Sequence, residues 1–93
     1  GFFRGPDLLD AWDEVDLFNQ SGERFRVDRI AELTDRLIIL DYKLRIPSPS
    51  EPSFLKYRAQ LINYRQLLGG LRVDKPIQSF LVDRFGDVQE ITE

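Results

Sequence analysis

Arg36-Leu37-Ile38-Ile39-Leu40-Asp41-Tyr42-Lys43-Leu44 decides the fold. Leu37 to Leu40 is the longest unbroken apolar run in the chain. Arg36 to Leu44 reads as a strand, and this continuous apolar start marks it as central and covered on both faces. Thr34-Asp35 just before it is a short turn. Arg24 to Leu33 then reads as a half-buried strand. Its odd members Phe25, Val27, Ala31 and Leu33 are apolar except for Arg29, and its even members are polar except for Ile30. Asn19-Gln20-Ser21-Gly22 is turn chemistry, with Gly22 able to take positive φ. An earlier strand holds Trp12, Val15, Leu17 and Phe18, after a lead-in loop from Gly1 to Leu9 that contains Gly5-Pro6. Connections this short predict an antiparallel three-stranded meander.

Downstream, Pro47, Pro49 and Pro52 alternate with serines in a loop that no regular element tolerates. Ser50 or Ser53 is placed to cap the helix that follows. Phe54, Tyr57, Leu61, Tyr64 and Leu68 recur at steps of three and four and form one helical face over 54–68. Gly69-Gly70 offers the helix a C-cap. Pro76 to Asp83 and Val88 to Ile91 read as two more strands around a Phe-Gly-Asp turn. The predicted order is β-β-β-α-β-β in a single α/β (α+β) domain spanning 1–93, with one helix on one face of a mixed sheet.

Composition closes off several chemistries. With no cysteine and no histidine among 93 residues, there is no disulfide, thiolate nucleophile, imidazole zinc site or histidine triad. Carboxylates, lysine, tyrosine and hydroxyls remain, so a bound metal is expected to be magnesium or manganese. No apolar run approaches transmembrane length, and the absence of a signal core and of cysteine predicts a cytoplasmic protein without membrane contact. The chain begins at Gly1 and has no methionine, which reads as a piece of a longer protein.

The net charge of −3 hides an asymmetry. Residues 7–41 carry ten acids against four arginines, whereas from Pro52 to Val73 there is no acid at all. A basic face of this kind either meets phosphates or is a solvated helix surface.

The Asp-Tyr-Lys step ends the central apolar run. Asp41 and Lys43 point to one side, about 7 Å apart along the strand. The short turn at Thr34-Asp35 sets Asp28 roughly opposite Asp41, and cross-strand neighbours on one face approach to about 4.5–5.5 Å. Two carboxylates at that distance repel unless a proton or cation lies between them. One resolution is Mg²⁺, which takes one or two carboxylates and binds phosphate oxygens, with the Tyr42 backbone carbonyl as a further oxygen ligand and Lys43 orienting water. The other is ordinary ion pairing: Asp28 is flanked by Arg24, Arg26 and Arg29, and Asp41 lies two residues from Lys43. Gln60 and Tyr64 stand one above the other on the helix. Either both face a nucleic-acid backbone or base, or Tyr64 belongs to the apolar stripe with Gln60 beside it.

Arg26-Val27-Asp28-Arg29-Ile30, then Leu37 to Lys43, then Tyr57-Arg58-Ala59-Gln60-Leu61-Ile62-Asn63-Tyr64-Arg65 together resemble the PD-(D/E)XK nuclease superfamily. The likeness is to its RecB/AddA type, the C-terminal nuclease domain of UvrD/Rep-like helicase-nucleases (exodeoxyribonuclease V beta subunit-like), and it covers roughly residues 12–92. It implies a restriction-endonuclease-like core and Mg²⁺-dependent hydrolysis of DNA phosphodiesters, in a parent whose ATP-driven superfamily 1 helicase domains act in repair and recombination. Asp28 and Asp41 match the metal-binding aspartates, Lys43 matches the catalytic lysine, and Gln60 and Tyr64 match a Gln-x-x-x-Tyr motif that engages DNA. Glu14 resembles an acidic residue that some members place in the first strand. Lys56, Arg58 and Arg65 join the expected DNA-binding set. The chain departs from the pattern in two ways: Val27 stands where a glycine is common, and the N-terminal helix that carries a histidine or glutamate ligand is missing before Trp12. The piece alone is therefore expected to be weakly active or inactive. The second expectation is a binding module on the same fold that guides single-stranded DNA or a partner subunit, with Tyr57 or Tyr64 stacking on bases. A third is a structural domain with an accidental motif.

Overall fold

The computed structural model describes residues 8–71 and 74–92. In order, the elements are β1 (Leu8–Phe18), β2 (Arg24–Leu33), β3 (Leu37–Tyr42), α1 (Pro52–Gly69), β4 (Ile77–Val82) and β5 (Val88–Ile91). They form an α+β domain, a five-stranded mixed sheet in the order β1-β2-β3-β4-β5 with one helix. β1, β2 and β3 are an antiparallel meander, β4 runs parallel to β3, and β5 returns antiparallel on β4. The parallel pair needs a crossover, and α1 supplies it. Gly22, at φ 81°, takes the left-handed conformation its turn requires.

Two local expectations are corrected. The lead-in loop stops short of Leu9, because β1 already starts at Leu8 and carries an irregularity between Leu8 and Asp10. Most of the lead-in lies outside the described residues. Neither Ser50 nor Ser53 caps α1. Glu51 occupies the N-cap position with no side-chain cap, and Pro52 opens the helix, where its missing N–H costs nothing. Ser50 Oγ instead meets Ser48 Oγ at 3.0 Å. Gly70 ends the helix in a right-handed conformation, its N–H bonded to the Gln66 carbonyl.

Two apolar clusters flank the sheet. On the helix face, Leu61, Tyr64 and Leu68 of α1 bury against Leu17, Val27, Ile30, Ile39 and Leu81. On the other face, Ala31, Leu33, Ile38, Leu40 and Phe80 pack together with Leu8, Ala11 and Val82 beside them. β3 therefore feeds both faces, as its continuous apolar run predicts. β2 does not alternate simply. Phe25 and Val27 lie on the helix face, whereas Ala31 and Leu33, of the same parity, lie on the other. The two exceptions to its pattern, Arg29 and Ile30, mark where the faces exchange.

Candidate functional site

The β2–β3 ladder pairs Ile30 with Ile39 and Arg29 with Leu40. Carried one step further, the register sets Asp28 opposite Asp41, beyond the apolar run of β3. Ion pairing does not explain Asp28. Arg26 binds Asp16 at 3.2 Å and Arg29 binds Asp13 at 2.6 Å. Asp28 Oδ2 instead accepts the Tyr42 N–H at 2.8 Å.

Asp41 is 4% exposed, on the core side of the sheet. Burial pushes its pKa up to about 6. Hydrogen-bonding contact with the Asp28 carboxyl works in the same direction, and the Lys43 charge works against both. Its Oδ2 is enclosed, 3.1 Å from Lys43 Nζ as an ion pair but without a well-aligned hydrogen bond. A buried acceptor left in that state favours a proton or a cation nearby. Lys43 Nζ also sits 4.2 Å from the centre of the Tyr57 ring. The ammonium is thus held between a carboxylate and an aromatic face.

α1 roofs this pair. Tyr64 is 4% exposed, and its phenol oxygen accepts from Gln60 Nε2 at 2.7 Å. Burial raises the Tyr64 pKa, and the negative charges of Asp41 and then Asp28 add to the rise, with the Gln60 bond opposing them. Tyr64 belongs to the buried apolar stripe of α1 and is also a neighbour of the two carboxylates. A ring buried this deeply is no stacking platform.

Two depressions, of about 420 and 540 Å³, meet at Lys43 and Tyr57. Tyr42, Arg45 and Ser53 line the first, and Phe25, Lys56, Gln60 and Asn63 line the second. Among the described residues, no acid lines either one. Lys56, Gln60 and Asn63 are spaced i, i+4, i+7 and share a helix stripe. Sequence reasoning missed Phe25, Arg45 and Asn63; for Asn63 that spacing was the available signal. Arg58 lies elsewhere, its Nε on the Thr92 carbonyl at 3.2 Å beside β5, and Arg65, seven residues on, shares its stripe. A third depression, about 580 Å³, lies at the other end of β3 among Trp12, Val15, Leu37 and Leu68, and Asp16, Glu32, Asp74 and Lys75 line it as well, with Lys75 paired to Glu32 at 2.8 Å.

Glu14 is exposed and has a left-handed backbone, at φ 53°. Among the described residues no group of three acids is gathered closely enough to hold a metal ion. The site thus offers two carboxylates, an enclosed oxygen on one of them and an adjacent ammonium. That donor set fits a hard dication that keeps most of its water. No helix among the described residues is long and apolar enough to cross a membrane. No known family model matches the chain, and no curated protein matches it significantly.

Proposed function

We propose that this domain is the nuclease portion of a helicase-nuclease, with a restriction-endonuclease-like core that hydrolyses DNA phosphodiesters with Mg²⁺ or Mn²⁺. The reading is carried by one observation, the opposition of Asp28 and Asp41 on neighbouring strands with Lys43 beside Asp41. Asp28 and Asp41 would hold the ion, with the Tyr42 carbonyl as a further candidate ligand; Glu14 is not gathered with them. Such an ion, when bound, would supply Lewis-acid polarisation of the phosphodiester and a more acidic water. Lys43, fixed by Asp41 and Tyr57, orients water or steadies the charge that develops on phosphate. Gln60 and Tyr64 close the site from the helix side. Lys56, Arg45 and the Tyr57 ring suit a strand lying along the two depressions, and Arg58 and Arg65 add charge on the neighbouring stripe.

The test is a titration with Mg²⁺ or Mn²⁺ followed by NMR. Amide signals of Asp28 and of Asp41 to Lys43 should shift or broaden first, and Asp41→Ala should remove the effect. In the full-length protein, Asp41→Ala or Lys43→Ala should abolish DNA cleavage and leave ATP hydrolysis intact. Cation-induced shifts confined to the acids of β1 would end the proposal.

A second reading keeps the fold and makes the domain a guide for single-stranded DNA or a partner subunit. The acid-free lining of the two depressions favours it, as does the gathering of only two carboxylates. Salt-sensitive DNA binding that ignores EDTA would select this reading.

A further inference from the structure

β1 and β2 exchange faces at the same rung of their ladder. Below it, Val15 pairs with Val27 and Leu17 with Phe25, and all four lie on the helix face. Above it, Asp13 pairs with Arg29 and Ala11 with Ala31, and Ala11 and Ala31 pack on the opposite face. Pleated strands put residues two apart on the same face, so Ala11 and Val15 should agree, as should Val27 and Ala31. Neither pair does. The register is the same on both sides of the break, so no residue has been inserted. The rung between holds Glu14 and Asp28, and Glu14 has φ 53°. A non-glycine residue with positive φ inside a strand is rare.

The exchange decides where Asp28 can reach. With regular alternation from Phe25 and Val27, Asp28 would project away from the helix, and Asp41, of the same parity as Leu37 and Ile39, would have no carboxyl opposite it. With the exchange, Ile30 returns to the helix face beside Ile39, and Asp28 meets Asp41 and the Tyr42 N–H. We propose that Glu14 is a positioning residue: its left-handed backbone bends the β1–β2 hairpin and turns Asp28 onto the face where Asp41 and Lys43 lie. The role belongs to its backbone, not its carboxylate. The naming of the site rests on the nuclease reading, but the positioning does not.

The experiment compares Glu14→Gly, Glu14→Asn, Glu14→Ala and Glu14→Val. Glycine and asparagine accept positive φ, alanine accepts it poorly, and a β-branched side chain there is an outlier. The readout is the Tyr42 amide, through its chemical shift and its hydrogen-exchange rate. The Gly and Asn variants should keep the wild-type shift, with exchange within about twofold. The Ala variant should exchange faster, and the Val variant at least about tenfold faster, a change equivalent to one 1.4 kcal/mol step. If Val does not fold, Gly against Ala decides. A Val variant with the wild-type Tyr42 amide overturns the proposal. So does a Gly variant as damaged as Ala, because that result assigns the role to the carboxylate. A correct order of amide protection with no response to Mn²⁺ keeps the positioning role and discards the nuclease reading.

Discussion

At the scale of single residues, the molecule's most unusual group is the Asp41 carboxyl. The folded chain keeps its proton up to about pH 6, whereas its ordinary value is 3.8. Between those values the folded state binds more protons than the unfolded one. Stability therefore falls as pH rises from about 4 to about 6, and levels off above. Urea unfolding across that window should show a loss of roughly 1–3 kcal/mol. Asp41→Asn should remove more than half of it and leave the variant more stable than wild type at pH 7. A flat wild-type profile would mean that Asp41 is ionised throughout. Tyr57 offers a second test. Tyr57→Leu keeps apolar bulk and removes the ring beneath Lys43, a contact worth about 0.5–1 kcal/mol. It should release the Lys43 ammonium, seen as a faster-relaxing Nζ signal, and weaken binding to a single-stranded oligonucleotide.

At the scale of elements, α1 is held by its buried stripe and not by its ends, which lack a side-chain cap. Leu61 is fully buried, whereas Leu55 is 63% exposed. Leu61→Ala should cost about 2–5 kcal/mol. Leu55→Ala should stay within about 0.5 kcal/mol, as urea unfolding will show. The same contrast explains what could be read from the chain. The helix stripe, the β3 run and the register that sets Asp28 level with Asp41 follow from local period and turn length, which residue order records directly. The exchange of faces in β2 was visible only as two misfits, Arg29 and Ile30, and its cause lies in a backbone angle of another strand. The start of β1 was hidden because Leu8-Leu9-Asp10-Ala11 crosses an irregularity and shows no alternation. The helix cap was misplaced because Glu51 is engaged by Arg45 at 2.8 Å and by the Ser48 N–H. Contacts between residues distant in sequence, as across the two depressions, carry no periodic signal.

At the scale of the whole molecule, acid and base are segregated. β1 is acidic, and its acids Asp13 and Asp16 are paired to the arginines of β2. The depressions around Lys43 and Tyr57 have no acidic lining. A single-stranded oligonucleotide should therefore bind with an affinity that falls steeply with salt. Reversing two cations together, Arg45→Glu with Lys56→Glu, should weaken binding at least about tenfold and flatten the salt dependence. Arg58→Glu should do less, because Arg58 lies beside β5 and lines neither depression.

The parallel pairing of β4 with β3 has a kinetic consequence. The β1–β2–β3 ladders close over short turns, and hairpins of that kind form within about 1–10 μs. The β3–β4 ladder and the helix that crosses between them require the ends of a far longer loop to meet, which is slower. During refolding the two aspartates should thus come side by side while still in water, and only later be sealed under Tyr64. Asp41 should take up its proton in the slow phase, so a pH-indicator dye in stopped flow near pH 5 should report uptake that lags the first gain of β structure.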